Sequence, residues 1–284
     1  MDAQRGGDDG DTGHTVGGRG HLGLRVEVAD GVAQLVLDRP EKHNAVGLAM
    51  WRALPGVLAG LDADPDVRAI VVRGSGSHFC AGADIGDLLA GSDPQDPMAD
   101  LRAANLGTHA AFAAVRKPTV ALVRGHCIGG GLEIAAACDL RYADTTATFG
   151  VTPARLGVVY APSSVARLVD LVGPGAASRL LFGAGLIDAP EAHRIRLVDV
   201  LTDPDELDDT VASFVAGLAG RSQLTIASAK ESIRALTRAE VGGDGEDAEA
   251  LAARRYVETI ASGELAEGVA AFTQRRTPRF PWRW

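Results

Sequence analysis

The sequence predicts an α/β fold in which helices cover a largely parallel sheet, followed by a mostly helical C-terminal part. Two short runs, 69–73 and 119–123, are almost entirely apolar, which is typical of strands buried on both faces. Strand, turn and helix patterns alternate through about residue 200, and helical patterns dominate after Glu206. We therefore predict an α/β core over 21–205 and a C-terminal helical region over 206–284.

The chain begins with residues 1–20, which are rich in Gly and Asp and poor in apolar side chains. Such a composition buries too little apolar surface to offset the entropy of ordering, so we predict a disordered tail. Two β-rich runs, 24–28 and 32–37, then flank Asp30-Gly31, a pair that favours a tight hairpin turn.

The next segments carry weaker signals. Residues 47–60 show helical spacing of Leu and Trp, but Pro55 argues against one straight helix. We expect 91–108 to form a mobile segment and 132–138 to form a buried helix. Further predictions are strands at 140–143 and 147–149, a loop at 243–247 and a non-helical end over 277–284.

Composition excludes several classes of function. The 284-residue chain has a formal net charge of -9, which argues against a nucleic-acid surface. No apolar run is long enough to span a bilayer, and the N-terminus lacks a signal-peptide pattern, so we expect a cytoplasmic protein without membrane contact. The spacing of the three cysteines indicates buried thiols, neither a disulfide framework nor a metal site.

Two glycine-containing segments, 79–85 and 125–133, each follow a buried strand. Glycine allows the backbone to approach a ligand closely, and a helix N-terminus presents unsatisfied N–H groups. The second segment lacks the Lys-Ser/Thr ending of a phosphate loop and the glycine spacing of a dinucleotide site. Backbone N–H groups from two such segments, facing each other, would hold a developing oxyanion.

Four motifs in order resemble the crotonase (enoyl-CoA hydratase/isomerase) superfamily: 38–45, 79–85, 117–139 and 267–276. The resemblance implies a spiral of ββα turns with a helical C-terminal trimerisation region. It also implies an acyl-CoA substrate, with coenzyme A bound only as part of that substrate and no resident cofactor. The assembly that it implies is a homotrimer or a dimer of trimers.

The resemblance also implies residue roles. The backbone N–H groups of Ala83 and Gly130 would form an oxyanion hole for the thioester carbonyl. The residues that it assigns to substrate or CoA binding are Lys42, Ala45, Ala81, Asp84, Ile85, Gly129, Pro153, Phe272 and Arg275, the last two acting on the CoA of a neighbouring subunit.

Glu133 stands at a catalytic position of the family, where a carboxylate in an apolar pocket can move a proton or position water. Hydratases carry a second glutamate where this chain has Pro153, and proline cannot transfer a proton. Loss of one acid–base group costs roughly 10²–10⁴-fold in rate, so the residues argue against efficient hydration. Glu133 has the alternative role of only ordering nearby helix ends.

Two rival functions remain open at this point. The stretch 152–160 resembles the loop of methylmalonyl-CoA decarboxylases, which keep a tyrosine where this chain has Tyr160. Decarboxylation needs an oxyanion hole and no base, although those enzymes carry a histidine where this chain has Ala83. The third hypothesis is a non-catalytic acyl-CoA-binding protein. His78 and His109 are candidates for bordering the acyl pocket, and Asp139 is interpreted as a structural acceptor.

Overall fold

The structure is a computed structural model that describes residues 22–87, 93–240 and 248–284. The predicted tail over 1–20 and the predicted loop over 243–247 lie outside these residues. The strands are β1 (Leu24–Ala29), β2 (Val32–Leu37), β3 (Ala69–Gly74), β4 (Thr119–Val123), β5 (His126–Ile128), β6 (Leu140–Asp144), β7 (Thr148–Gly150), β8 (Leu186–Asp188) and β9 (Val200–Thr202).

Helices cover the sheets and make up most of the C-terminal part. They are α1 (Leu48–Ala63), α2 (Ala99–Ala114), α3 (Gly130–Ala137), α4 (Pro153–Leu156), α5 (Pro162–Gly183), α6 (Ala189–Arg194), α7 (Leu207–Ala219), α8 (Gln223–Glu240), α9 (Ala248–Ala261) and α10 (Glu264–Thr273). Short 3₁₀ turns occupy Pro40–Lys42 and Ile85–Asp87. The predicted α/β fold with a helical C-terminal region is confirmed.

The strands form two sheets, and from β4 to β7 the chain alternates between them. The larger sheet has the order β1-β2-β3-β4-β6-β9 and is parallel except for the β1–β2 hairpin. The smaller sheet has the order β5-β7-β8. The chain runs from β4 to β5 to α3, and then from β6 to β7 to α4 and α5. Each ββα turn thus adds one strand to each sheet, which is the predicted spiral.

The β1–β2 hairpin forms at the predicted turn. Asp30 and Gly31 both have positive φ, 52° and 80°. Positive φ at both central residues is the type I′ geometry, whose twist matches that of the flanking strands. The turn pairs Ala29 with Val32 and extends the register to Leu24 with Leu37.

Helix α1 continues through Pro55, which in the sequence argues against a single straight helix. Proline has no N–H, so the carbonyl of Trp51, four residues earlier, has no intrahelical donor at that turn. The hydroxyl of Thr108 on α2 donates to this carbonyl at 2.9 Å. The bond that the proline removes is therefore replaced by a tertiary bond, which fixes α2 against α1.

The predicted mobile segment over 91–108 includes the first ten residues of a helix, because α2 begins at Ala99. Residues 91 and 92 of that segment lie outside the described part of the chain. Its buried face carries Leu101, Thr108, His109 and Phe112. These positions share one helical face, but two of the four side chains are polar. The apolar periodicity is consequently too weak to show a helix in the sequence.

The chain end agrees with its prediction from the sequence, whereas strand β5 was not predicted. The chain after α10 is not helical, as predicted. β5 was missed, because its three residues lie within the glycine-rich segment. No helix among the described residues combines the length and apolarity that a bilayer span requires.

Asp139 has the predicted structural role. Its Oδ2 accepts hydrogen bonds from the amide of Thr119 at 2.7 Å and from Lys230 at 2.5 Å, which connects α8 to β4.

Candidate active site

The two glycine-containing segments lie side by side at the smaller sheet. Cys80 forms a parallel bridge with Cys127. The Cys80 amide donates to the carbonyl of His126 at 2.7 Å, and the Ile128 amide donates to the carbonyl of Cys80 at 3.0 Å. The segment 79–85 is thereby held along β5, directly before α3.

Ala83 lies in an isolated parallel bridge with Val46. The Val46 amide donates to the carbonyl of Gly82 at 2.8 Å, and the Asp84 amide donates to the carbonyl of Val46 at 3.0 Å. Backbone groups of successive residues in an extended chain point to opposite sides. The N–H of Ala83 therefore points away from Val46, towards α3.

Gly130 opens α3 on the facing side, and Gly129 before it has φ 53° and ψ −120°, a conformation that favours glycine. A Cβ built on Gly130 would lie 3.4 Å from the amide nitrogen of Ala83 and 2.9 Å from the ring of Trp51. In the described part of the chain, neither the Ala83 nor the Gly130 amide donates a backbone hydrogen bond outside regular elements. The two amides thus border one small space beside Trp51.

The spacing of the two segments depends on the next glycine, Gly131. A Cβ there would lie 2.5 Å from the carbonyl oxygen of Cys80 and 2.7 Å from its Cβ. We expect Gly131→Ala to lower the free energy of unfolding in urea by about 1–3 kcal/mol, because the backbone of Cys80 must shift. Gly60→Ala in α1 is the matched control. Its Cβ meets nothing within 4 Å, and we expect a gain of about 0.5–1 kcal/mol. Equal stability of the two variants would contradict this account.

Glu133 lies three residues after Gly130, on the same face of α3. Its side chain is 12% exposed, and its Oε2 accepts from the amide of Asn105 at 3.0 Å. Its Oε1 lies 3.8 Å from Nε2 of His109, which is 10% exposed. Both partners belong to α2 and are four residues apart, so they share a helical face. These contacts go to side chains of α2, not to helix ends.

Tyr160 closes another side of the same space. A Cβ on Gly129 would lie 3.7 Å from the Tyr160 hydroxyl and 3.7 Å from the Thr152 hydroxyl. Burial raises the pKa of Tyr160, and the negative charge of Glu133 raises it further. The phenol is therefore neutral and can donate a hydrogen bond. Pro153 follows Thr152 as the first residue of α4 and is buried.

A cluster of charged residues surrounds the 3₁₀ turn before α1. Lys42 donates to Oδ2 of Asp84 at 2.8 Å, and Arg39 donates to the same oxygen at 2.9 Å. The hydrogen bond from Lys42, with that from Arg39, lowers the pKa of Asp84 to about 2. The second guanidinium nitrogen of Arg39 donates to the carbonyl of Ala45 at 2.9 Å. The early motif and the segment 79–85 are thus connected by these contacts.

The remaining predicted binding residues fall into two groups, one on the segment 79–85 and one at the end of α10 and just after it. The Ala81 amide donates to the carbonyl of His43 at 3.0 Å, and the side chain of Ile85 is 72% exposed. Phe272 is 87% exposed, near the end of α10. No hydrogen bond or ion pair in the described regions joins Phe272 or Arg275 to the site. The structure therefore brings together Ala83, Gly129, Gly130, Glu133, Pro153 and Tyr160, and leaves the α10 residues apart.

Two site residues, Trp51 and Asn105, were missed, and His109 was predicted only to border the acyl pocket. A helix over 99–114 would have aligned Asn105 with His109, and that four-residue spacing was the available signal. Trp51 carried no signal of its own, because one apolar face of α1 explains it equally well. Among the described residues, no group of three or more His, Cys, Asp or Glu is arranged to hold a metal ion.

Comparisons with known proteins agree on one family. A family model described as enoyl-CoA hydratase/isomerase matches residues 27–283. A peroxisomal Δ(3,5)-Δ(2,4)-dienoyl-CoA isomerase from Arabidopsis thaliana is 32% identical over 274 residues, covering 90% of this chain and 95% of the relative. A crotonyl-CoA hydratase from Syntrophomonas wolfei is 30% identical over 256 residues, covering 90% and 96% respectively.

Solved structures give the same result. A crystal structure from Hyphomonas neptunium, described as a possible enoyl-CoA hydratase/isomerase family protein, superposes with a TM-score of 0.83 at 33% identity. The match covers 92% of this chain and 98% of that one. The fold of this chain as a whole therefore has a counterpart among solved structures.

Proposed function

Because the chain belongs to the enoyl-CoA hydratase/isomerase family, the crotonase superfamily, we propose that it converts an acyl-CoA thioester through an enolate held by the backbone N–H groups of Ala83 and Gly130. The observation that carries the proposal is the pair of amides bordering one space beside a mostly buried carboxylate, Glu133.

The two amides suit an enolate oxygen for a physical reason. Both belong to backbone held in position by neighbouring hydrogen bonds, so they need no reorganisation when charge develops. Gly130 is the first residue of α3, where the helix dipole adds a positive potential. Each donor of this kind is worth roughly 3–4 kcal/mol in the transition state.

Glu133 is the proton-transfer group in this proposal. Asn105 occupies its Oε2, which leaves Oε1 free to accept a proton from a substrate carbon or from water. Pro153 supplies no second acid, so the carbon chemistry depends on a single carboxylate.

The charged cluster around Asp84 binds the CoA moiety in this proposal. Lys42 is half exposed in spite of its bond to Asp84, so its ammonium can also meet a phosphate group. Ala45, Ala81 and Ile85 lie on the same two backbone segments. Phe272 and Arg275 would reach the CoA of a neighbouring subunit, which is consistent with their separation from the site within one chain.

Decarboxylation of a malonyl-type thioester is the second candidate. It is favoured by the neutral hydroxyl of Tyr160 at Gly129 and by the apolar residue at position 153. This reaction breaks a carbon–carboxylate bond and leaves the electron pair on the same enolate, so it needs the two amides but no base.

Proton exchange at the α-carbon tests the shared step. Butyryl-CoA incubated with the enzyme in D₂O should gain deuterium at its α-carbon, as measured by NMR. Consumption of crotonyl-CoA in a parallel absorbance assay would add hydration to this shared step. Loss of CO₂ from methylmalonyl-CoA, without exchange into butyryl-CoA, would select the decarboxylase. If calorimetry shows CoA binding but none of these thioesters is turned over, the protein is a non-catalytic acyl-CoA-binding homologue.

A homotrimer or a dimer of trimers is the proposed assembly. It is supported by apolar side chains of the C-terminal helices that are 50% to 87% exposed in the single chain. These are Ile233, Leu236, Tyr256, Val257, Ile260, Leu265, Val269 and Phe272.

Sedimentation measures this assembly directly. We expect a mass of three or six times 29.4 kDa, and a smaller species for Ile260→Glu, because a buried unpaired charge opposes association. Leu22→Glu, 48% exposed ahead of β1, is the control and should leave the mass unchanged. A wild-type monomer at micromolar concentration would contradict the proposal.

A further inference from the structure

His109 carries a buried polar atom that the proposed chemistry has not used. Its Nε2 has no hydrogen-bond partner among the described residues. An unpaired buried donor or acceptor costs roughly 1–3 kcal/mol, so such atoms usually have a partner in the working protein.

The position of this atom indicates what its partner is. Nε2 of His109 and Oε1 of Glu133 are 3.8 Å apart, which is too long for a direct hydrogen bond. A single water oxygen can lie about 2.8 Å from each of them. Oε1 is also the oxygen that Asn105 leaves free. A water bonded to both atoms therefore lies beside the line that joins them, with one partner on α2 and the other on α3.

We infer that His109 positions the water that adds to a 2-enoyl-CoA, and that this is how the chain hydrates substrates without a carboxylate at position 153. The inference rests on the proposed function and names its reaction class.

The step balances with one carboxylate. The water oxygen, held by His109, bonds to the β-carbon of the enoyl group, and the water proton passes to Oε1 of Glu133. The electron pair of the Cα=Cβ bond moves to the thioester oxygen, where Ala83 and Gly130 hold it. When the enolate collapses, the α-carbon takes that proton from Glu133, and the carboxylate is restored. One water is added, and nothing is oxidised or reduced.

Two variants of His109 separate this role from a structural one. Leu at position 109 keeps an apolar volume on the buried face of α2 but removes the hydrogen-bonding atom. Gln keeps an N–H group. Each variant is assayed for hydration of crotonyl-CoA and for α-proton exchange into butyryl-CoA in D₂O. Exchange requires Glu133 and the two amides but no positioned water.

We expect His109→Leu to lower kcat for hydration roughly 10- to 100-fold, the effect of losing one or two hydrogen bonds to the reacting water. Its exchange rate and the KM for crotonyl-CoA should stay within about threefold of wild type, and His109→Gln should recover part of the hydration rate. His193→Gln on α6, whose ring bonds to the carbonyl of Val198, is the control and should match wild type in both assays.

The outcomes that overturn the inference are distinct from those that overturn the proposed function. Near-wild-type hydration by His109→Leu would exclude the role. So would a parallel loss of hydration and exchange, since a structural defect affects both. A wild-type enzyme that exchanges α-protons but hydrates no 2-enoyl-CoA overturns this inference alone. A wild-type enzyme that does neither contradicts the proposed function itself.

Discussion

Replacing Glu133 by Gln is expected to lower both α-proton exchange and turnover of crotonyl-CoA roughly 10²–10⁴-fold, the cost of removing a proton-transfer group. Gln has the length of Glu and can still accept a hydrogen bond from Asn105 through its amide oxygen. It cannot take a proton at the position of Oε1. The loss should therefore appear in kcat, with CoA affinity measured by calorimetry unchanged.

A second readout of the same variant comes from Tyr160. Burial and the charge of Glu133 both raise the pKa of this phenol. Removing the charge should lower the pKa of Tyr160 relative to wild type, while burial keeps it above the ordinary value of a tyrosine. Ultraviolet absorbance over the alkaline range in which the fold persists should show more ionised tyrosine in Glu133→Gln than in wild type. Glu206→Gln, before α7, is the matched control for loss of one carboxylate. Equal exchange rates for wild type and Glu133→Gln would refute the proton-transfer role.

The fold could be predicted from the sequence wherever one physical signal dominates. The apolar runs of β3 and β4 and the Asp30-Gly31 turn are local signals, and each formed as predicted. Pro55 was misjudged because its effect depends on a partner 53 residues away, the Thr108 hydroxyl that takes up the carbonyl of Trp51. Such long-range compensation leaves no trace near the proline.

The site shows the same division between local and long-range information. Ala83, Gly130 and Glu133 were predicted through motifs, and the structure brings them together. Asn105 and His109 were not predicted to contact Glu133. Polar residues on the buried face of α2 weaken its apolar periodicity, so the helix that aligns these two residues was not predicted. Polar side chains weaken the periodicity of a helix at the positions where they serve a site.

Replacing Ala83 by Pro is a direct test of the two amides, because it removes one N–H and places the ring Cδ where that hydrogen pointed. We expect kcat to fall roughly 10²–10³-fold, the usual cost of removing one oxyanion donor. The bonds from Val46 to Gly82 and from Asp84 to Val46 do not use the Ala83 amide, so the bridge can persist. Proline at position 81 would be uninformative by comparison, since the Ala81 amide donates to His43.

Ala83→Ser is the matched control, because it changes the side chain at position 83 and keeps the N–H. Its rate should lie within about threefold of wild type, as expected when no hydrogen bond is lost. CoA affinity should be equal in both variants, since negative charge develops on the thioester oxygen only as the enolate forms, and free CoA carries no such oxygen. If Ala83→Pro kept the wild-type rate with an intact fold by circular dichroism, the thioester oxygen would have to be held elsewhere. If both variants fell equally, the side chain and not the N–H would be responsible.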